Sequence, residues 1–471
     1  MTTRHIGVIG MAVMGQNLAL NMQSKGFPTV VYNRTAERTK EFMQQRGEAA
    51  GLAAAYTIEE FMRLLERPRR ILFMVKAGEA VDDFIRQIRP HMEKGDLLID
   101  GGNSHFKDTE RRNLDLEKDG FLYIGTGISG GEEGALKGPS IMPGGQKEAY
   151  DLVADVLCKI AAQTEDGPCC AYMGPRGAGH YVKMVHNGIE YGIMQLIAEA
   201  YDMLSTGLGL KTQEIGEIVA EWNDAELGSY LMEITRDCLV RKDDLGRGML
   251  VDKILDTAGQ KGTGKWASQD ALDVGYPIPT IDAAVHARIL SAYKTERVAA
   301  AKRLRGPGLK YRGSRAKFIQ NVRDGLYCSV ITSYAQGMGL LTAASKEYNY
   351  NLNLAEIARI WKGGCIIRSK LLDPIKKAYA AEAELKNLML APFFRQALHR
   401  RQANWRECVS TATKLGIPCL AFCTSLAYYD SYRRARLPAN LIQAQRDYFG
   451  AHTYQRIDRE GVFHTEWLKR D

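Results

Sequence analysis

Four residues near the middle of the chain have the types and spacing of an acid–base set. Lys183, His186, Asn187 and Glu190 stand at i, i+3, i+4 and i+7 within His180-Tyr-Val-Lys-Met-Val-His-Asn-Gly-Ile-Glu-Tyr191. On a helix this spacing puts all four on one face. Lys183 serves as a base only when neutral, and burial or a nearby cation lowers its pKa toward that state. Glu190 serves as an acid if the same dry surroundings raise its pKa. The stripe would equally suit the solvated face of an amphipathic helix. Two local features favour a pocket. Gly188 costs about 1 kcal/mol against Ala inside a helix and calls for a close neighbour. Val182, Val185, Ile189, Ile193 and Met194 crowd both sides of the stripe.

Several other segments have the chemistry of anion binding. Gly10-Met-Ala-Val-Met-Gly15 follows a strand-like run and opens a helical one. Its glycines permit a tight turn and close backbone approach, and a helix N-terminus there stabilises a pyrophosphate. Ala12 replaces the middle glycine of the usual fingerprint, and Val13 and Met14 complete the turn. The next strand-like run ends in Asn33-Arg34-Thr35, where an NAD site would usually carry an acidic residue. Arg34 can instead grip a 2′-phosphate bidentately and stack on adenine. The expected cofactor is therefore NADP. Val75, Lys76, Ala77 and Asn103 follow two further strand-like runs and are expected at the nicotinamide half. Gly127-Ile-Ser129-Gly130-Gly131 offers backbone N–H groups and a hydroxyl suited to a carboxylate or phosphate. Lys261-Gly-Thr263-Gly-Lys-Trp266 nearly matches a P-loop, but Trp266 replaces the Ser/Thr and no strand precedes it. It is read as a phosphate-binding loop using Lys261 and Thr263. The run Lys294–Lys317 has nine Lys/Arg against Glu296 and reads as a solvated loop, with nucleic-acid contact as the alternative.

These groups need elements to hold them. The chain has 471 residues, enough for two to four domains at roughly 100–200 residues each. Short apolar runs at Ile6–Ile9, Thr29–Tyr32, Arg70–Val75, Asp96–Ile99 and Phe121–Ile124 alternate with helical patterns such as Ala36–Arg46 and Glu79–Met92. That alternation predicts βαβ units on a parallel sheet within residues 1–178. Residues 179–437 read as all-helical. Within them, Val182–Leu231 can be laid over Ile319–Leu371, matching Gly188 with Gly325, Trp222 with Trp361 and Ser229 with Ser369. A duplicated helical unit explains this, with chance similarity as the alternative. In the second copy, Gln320, Arg323, Asp324 and Tyr327 replace the acid–base set, as expected if one copy does the chemistry. The tail, 438–471, shows few apolar residues at helical spacing and no core of its own. It is expected to dock elsewhere, a second subunit being one candidate.

The net charge of +8 suits a protein that handles anions and falls short of a dedicated nucleic-acid binder. Nine cysteines without a Cys-x-x-Cys pair are expected to be reduced thiols in a cytoplasmic protein. A strand-like run already at Ile6 leads to the expectation of no signal or transit peptide, and no apolar run reaches the ~18 residues of a membrane span.

Together these segments resemble the decarboxylating 6-phosphogluconate dehydrogenases over essentially the whole chain. The resemblance rests on Gly10–Gly15, Asn33–Thr35, Val75–Ala77, Asp100-Gly-Gly-Asn103, Ile128-Ser-Gly-Gly-Glu-Glu133, Lys183–Tyr191, Lys261–Trp266, Arg288 and Arg446-Asp-Tyr-Phe-Gly-Ala-His452. It implies an α/β Rossmann-like domain, a large all-α domain built from a duplicated unit, and a C-terminal tail exchanged within a homodimer. It implies oxidation and decarboxylation of 6-phosphogluconate to ribulose 5-phosphate with NADP as acceptor, without a metal. Lys183 would be the base, then the acid that polarises the keto oxygen, and Glu190 would deliver the last proton. Asn103, Ser129, Gly130, Gly131, His186 and Asn187 would hold the carboxylate and hydroxyls. Tyr191, Lys261, Thr263, Arg288 and the partner subunit's Arg446 would hold the phosphate, with the partner subunit's His452 completing the site. A β-hydroxyacid dehydrogenase that does not decarboxylate is the nearest alternative. A nucleotide-bound RNA-binding or scaffold protein is another.

Overall fold

The computed structural model describes residues 3–308 and 310–469, so the outermost residues of the expected first domain and tail lie outside it. Seven strands, β1 (Ile6–Ile9), β2 (Thr29–Tyr32), β3 (Ala53–Ala54), β4 (Arg70–Phe73), β5 (Leu97–Asp100), β6 (Leu122–Ile128) and β7 (Ile141–Gly145), form one sheet in the order β3-β2-β1-β4-β5-β6-β7. All neighbours are parallel except β6 and β7. The chain reverses its direction of travel across the sheet between β1 and β4, where Ile9 pairs with Tyr32 on one side and Phe73 on the other. Such a switch point opens a crevice at the carboxyl ends of the strands.

Both faces of the sheet are covered, which is why the strands read as continuous apolar runs. Val8, Leu72 and Ile99 pack on one face with Leu18 and Met22 of helix α1 (Val13–Ser24). Ile9, Phe73 and Leu98 pack on the other with Phe61, Val81 and Phe84. The expected strands form to within a few residues, but two were not anticipated. β3 has two residues. β7, Ile-Met-Pro-Gly-Gly, has the composition of a turn, and its Pro143 is tolerated because β7 is an edge strand.

From Ala178 onward the chain is helical. Helix α2 (Ala178–Asp202) leads into α3 (Thr212–Asp224), α4 (Tyr230–Val240), α5 (Thr263–Val274) and α6 (Pro279–Ala292). The same order then recurs as α7 (Arg315–Glu347), α8 (Leu354–Ile360), α9 (Leu372–Ala381), α10 (Pro392–Leu415) and α11 (Leu420–Tyr432). Ser229 and Ser369, matched by the repeat, form an antiparallel bridge with each other. Tyr230 N donates to Arg368 O and Lys370 N to Gly228 O, both at 2.9 Å. Equivalent residues pair in this reciprocal way when two units face each other across a local two-fold axis.

The basic run begins as a helix, Lys294–Ala301, rather than as a loop. The tail also departs from expectation. Ala439–Gly450 is a helix, α12, whose Leu441, Ile442, Tyr448 and Phe449 are exposed. Beyond it, Tyr454 bridges to Phe463, and buried Asp447 accepts hydrogen bonds from Thr453 N (2.8 Å), His464 Nδ1 (2.9 Å), Thr465 N (3.1 Å) and Trp467 Nε1 (2.8 Å). The tail is thus organised around a carboxylate instead of an apolar core. Among the described residues, no helix is long and apolar enough to cross a membrane.

Candidate active site

Lys183 is placed by glycines. The start of α2 lies directly on β6 and β7, with the backbone of Gly179 against Gly125, Met142 and Gly144. A Cβ on Gly127 would stand 3.0 Å from Lys183 Cγ and closer still to its Cβ. Gly125 and Gly127 share one face of the strand, because alternate residues do. His180 anchors the same turn. Its Nε2 donates to Asp100 O (3.1 Å) and its Nδ1 accepts from Thr109 Oγ1 (2.7 Å). The result is a lysine only 5% exposed at the edge of the sheet.

The four candidate residues do converge. Lys183 Nζ donates to Asn187 Oδ1 at 2.8 Å and lies 3.3 Å from His186 Nδ1. His186 Nε2 is 3.4 Å from Ser129 Oγ, and its Nδ1 is 3.9 Å from Glu190 Oε2. Burial lowers the pKa of Lys183, against the opposing pull of Glu190 and Cys365. Burial raises that of Glu190, against Lys183 and Arg288. Burial, then the charge of Lys183, holds His186 well below its usual value, so its imidazole is neutral. A dry pocket therefore pushes the lysine toward a base and the glutamate toward an acid.

Asn187 links this set to the second phosphate-type loop, since its Nδ2 donates to Thr263 Oγ1 at 2.9 Å. Thr263 opens α5 behind Gly262, whose φ is +100°. A Cβ on Gly264 would lie 2.5 Å from the Tyr191 ring, and the Arg288 guanidinium stacks 3.5 Å from that ring's centre. Tyr191, Thr263 and Arg288 thus meet on one side of the site, and Arg288 makes no ion pair among the described residues. Lys261 is exposed at the same loop.

The turn after β6, Ser129-Gly130-Gly131, meets the acid–base set where Ser129 reaches His186. Gly130 has φ +109°, and a Cβ there would stand 2.6 Å from Gly364 O. Asn103 has φ +54° and ties its loop to the end of β6, donating to Ile128 O (3.3 Å) and accepting from Ile128 N (3.2 Å).

The dinucleotide-type turn lies at the switch point. Gly10 has φ +97°, and Gly15 packs against its carbonyl so closely that no Cβ fits. Ala12 caps α1 without a side-chain hydrogen bond, and the first turn carries no acidic residue, which suits an approaching anion. Met14 lies half-buried beside exposed Val13. Asn33 is spent on structure, accepting from Met11 N (3.0 Å) and donating to Thr35 O (3.1 Å). Arg34 is exposed and makes no ion pair among the described residues. Val75, Lys76 and Ala77 follow β4 on the same edge of the sheet.

Two residues expected at the partner subunit's site lie on the tail. Arg446 and His452 are exposed there, and among the described residues neither hydrogen-bonds with a site residue of its own chain. In the second helical copy the counterparts of the acid–base set form a structural network. Arg323 pairs with Glu226 (2.6 Å), Asn404 donates to Asp324 (2.6 Å), and Arg401 stacks 4.7 Å from Tyr327.

Residues that sequence reasoning missed are positional. Asp100 accepts from Gly102 N (2.9 Å), Ser104 Oγ (2.7 Å) and Tyr123 OH (3.0 Å), which shapes the loop bearing Asn103. A charged residue closing the apolar run Leu-Leu-Ile-Asp was its signal. The acidic group Glu165, Asp166 and Asp373, brought together only by folding, is neutralised by Lys362 and Lys376. All nine cysteines are unpaired.

A doubly wound sheet with this turn, and a dry lysine–glutamate pair at its edge, defines a dinucleotide-dependent oxidoreductase. Residues 5–174 match the NAD binding domain of 6-phosphogluconate dehydrogenase, and residues 179–467 match the 6-phosphogluconate dehydrogenase C-terminal domain. The chain belongs to the 6-phosphogluconate dehydrogenase family. It is 58% identical to the decarboxylating 6-phosphogluconate dehydrogenase of Synechococcus elongatus, over 99% of this chain and all of that protein. The NADP(+)-dependent, decarboxylating enzyme of Bacillus subtilis is 56% identical over the full length of both. The solved structure of Plasmodium falciparum 6-phosphogluconate dehydrogenase, studied as apo form and with NADP+ and 6-phosphogluconate, matches with TM-score 0.95 at 47% identity, covering 98% of this chain and 100% of that one.

Proposed function

We propose that this protein oxidises and decarboxylates 6-phosphogluconate to ribulose 5-phosphate and CO2, with NADP as electron acceptor. The observation that carries the reading is the dry contact of Lys183 Nζ with Asn187 and His186, with Glu190 two helical turns on from the lysine. The names of full-length relatives support the substrate and cofactor. When bound, NADP supplies the hydride acceptor. The open N-terminus of α1, the Gly10–Gly15 turn and exposed Arg34 fit its pyrophosphate and 2′-phosphate.

The residues divide the chemistry. Neutral Lys183 takes the proton of the hydroxyl beta to the carboxylate as that carbon is oxidised. The β-keto acid then loses CO2, and protonated Lys183 donates to the keto oxygen, stabilising the enediolate that forms. Glu190, whose pKa burial raises, delivers a proton to the terminal carbon and completes the ketose. Ser129, Gly130, Gly131, Asn103, His186 and Asn187 hold the carboxylate and hydroxyls. Tyr191, Lys261, Thr263 and Arg288 take the phosphate, and the Arg288 fork suits it geometrically.

The tail supports a homodimer. Leu441, Tyr448 and Phe449 on α12 face outward, and Arg446 and His452 lie beside them. An exchanged tail would bury that face and bring both residues to the partner's site. We place the functional units at 1–178, 179–437 and 438–471, and the nine thiols suit a reducing, cytoplasmic setting.

The test is NADPH absorbance with 6-phosphogluconate, NADP and EDTA, alongside CO2 release. Equal yields of NADPH and CO2 are expected. NADPH without CO2, or equal turnover of unphosphorylated gluconate, would return the protein to the simpler β-hydroxyacid dehydrogenases.

A further inference from the structure

We propose that Trp361 is a positioning residue for His186, so that the second copy of the helical unit builds the rear wall of the substrate site. The inference rests on the proposed function only in treating His186 as a substrate contact.

Trp361 is fully buried, and its ring meets that of His186 with centroids 5.5 Å apart and planes at 78°. That is the edge-to-face arrangement aromatic rings prefer. His186 has substrate-side partners at both nitrogens, Ser129 at Nε2 and the Lys183–Asn187 pair at Nδ1. A rotated imidazole would lose both, and a ring packed against it resists that rotation. The indole is that ring.

The backbone that carries the indole is itself held from the sheet side. Ser140, the residue before β7, donates its hydroxyl to Ile360 O and its N–H to Gly364 O, both at 2.7 Å. Gly364 has φ +64°, and its carbonyl is the group that crowds Gly130. Cys365 Sγ donates to Trp361 O at 3.1 Å. One short segment, 360–365, therefore touches the substrate turn through Gly364 and the catalytic helix through Trp361. Its repeat counterpart, Trp222, is also buried but makes no ring contact with a site residue among the described residues. The duplication thus has two roles, with the first copy bearing the acid–base set and the second orienting it.

The test compares Trp361→Leu, Trp361→Phe and Trp222→Leu in the full-length protein. Misplacing a positioned group by about 1 Å costs on the order of 100-fold. Trp361→Leu is expected to lower kcat/KM for 6-phosphogluconate by about 10- to 100-fold, with KM for NADP within about twofold. Trp361→Phe should restore most activity, because it keeps an aromatic ring there, and the indole N–H lost with the second ring has no hydrogen-bond partner among the described residues. Trp222→Leu makes a comparable hole away from the site and should keep kcat/KM near wild type. In protein labelled with 13C at histidine Cε1, the His186 resonance should move in Trp361→Leu and stay in Trp222→Leu. Equal kinetic losses in both Leu variants, or an unmoved His186 resonance, would overturn the proposal. Absence of turnover in the wild type would instead count against the proposed reaction, and the resonance shift would still test the contact.

Discussion

Replacing Gly127 by Ala tests the idea that backbone packing sets the position of Lys183. The new Cβ would stand 3.0 Å from Lys183 Cγ and 3.1 Å from Gly179 O, and nearer to Lys183 Cβ. Carbon atoms settle at about 3.5–4.0 Å, so α2 must retreat from β6 by about 1 Å. The strand cannot yield easily, since β6 is paired on both sides, with β5 and β7. Overpacking of this size costs about 1–3 kcal/mol of stability. A shift of about 1 Å at a reacting group costs on the order of 100-fold in rate, or about 2.7 kcal/mol at 1.36 kcal/mol per factor of ten. The assay is steady-state NADPH formation, with NADPH binding followed separately by fluorescence. The expected result is a kcat/KM loss of about 100-fold with cofactor affinity little changed, because Gly10–Gly15 and Arg34 lie on other strands' loops. A variant with wild-type kcat/KM and unchanged melting temperature would refute the reasoning, since the helix would then have room the structure denies it.

Three other predictions address separate parts of the site. Lys183→Met should abolish NADPH formation, and in Glu190→Gln the residual pH profile of NADPH formation should show the lysine alone. Because burial lowers the Lys183 pKa, that activity should be present above the depressed value and fall away as pH drops through it, while a profile flat toward low pH would remove Lys183 as the base. Arg34→Ala should cut kcat/KM for NADP by about 10- to 100-fold, from loss of a charged hydrogen bond of about 1.5–3 kcal/mol, and leave NAD turnover nearly unchanged. Asp447→Asn should loosen the tail and lower activity in a concentration-dependent way, read by kinetics and sedimentation together. Burial would raise the Asp447 pKa, but hydrogen bonds from His464, Trp467, Thr465 and Thr453 outweigh it and hold the carboxyl well below the usual range. The tail's contribution should therefore be complete above the ordinary aspartate pKa and be lost as pH falls toward the depressed one. A tail as stable in the Asp447→Asn variant as in wild type would contradict that.

What could be read from the sequence is what repeats locally or sits in one short segment. The strands β1, β2, β4 and β5 announce themselves because both faces are buried. The Gly10–Gly15 turn does so because a strand, a tight turn and a helix are consecutive. The Lys183, His186, Asn187 and Glu190 face follows from 3.6 residues per turn. Even the duplication is legible, because the same helix packing needs the same small and aromatic residues in both copies. The tail helix escapes such a reading, since Leu441, Ile442, Tyr448 and Phe449 stay exposed and no buried face in their own segment marks the helix. Tertiary structure alone decided the dryness of Lys183, which comes from glycines on β6 and β7 and not from its own helix. It alone joined Asn187 to Thr263, 76 residues away, and set Trp361 against His186. Those contacts depend on where distant elements cross, and a crossing leaves no period in the sequence. A side chain's type and spacing state which chemistry is available to it, whereas its pKa and aim are properties of the neighbours that folding supplies.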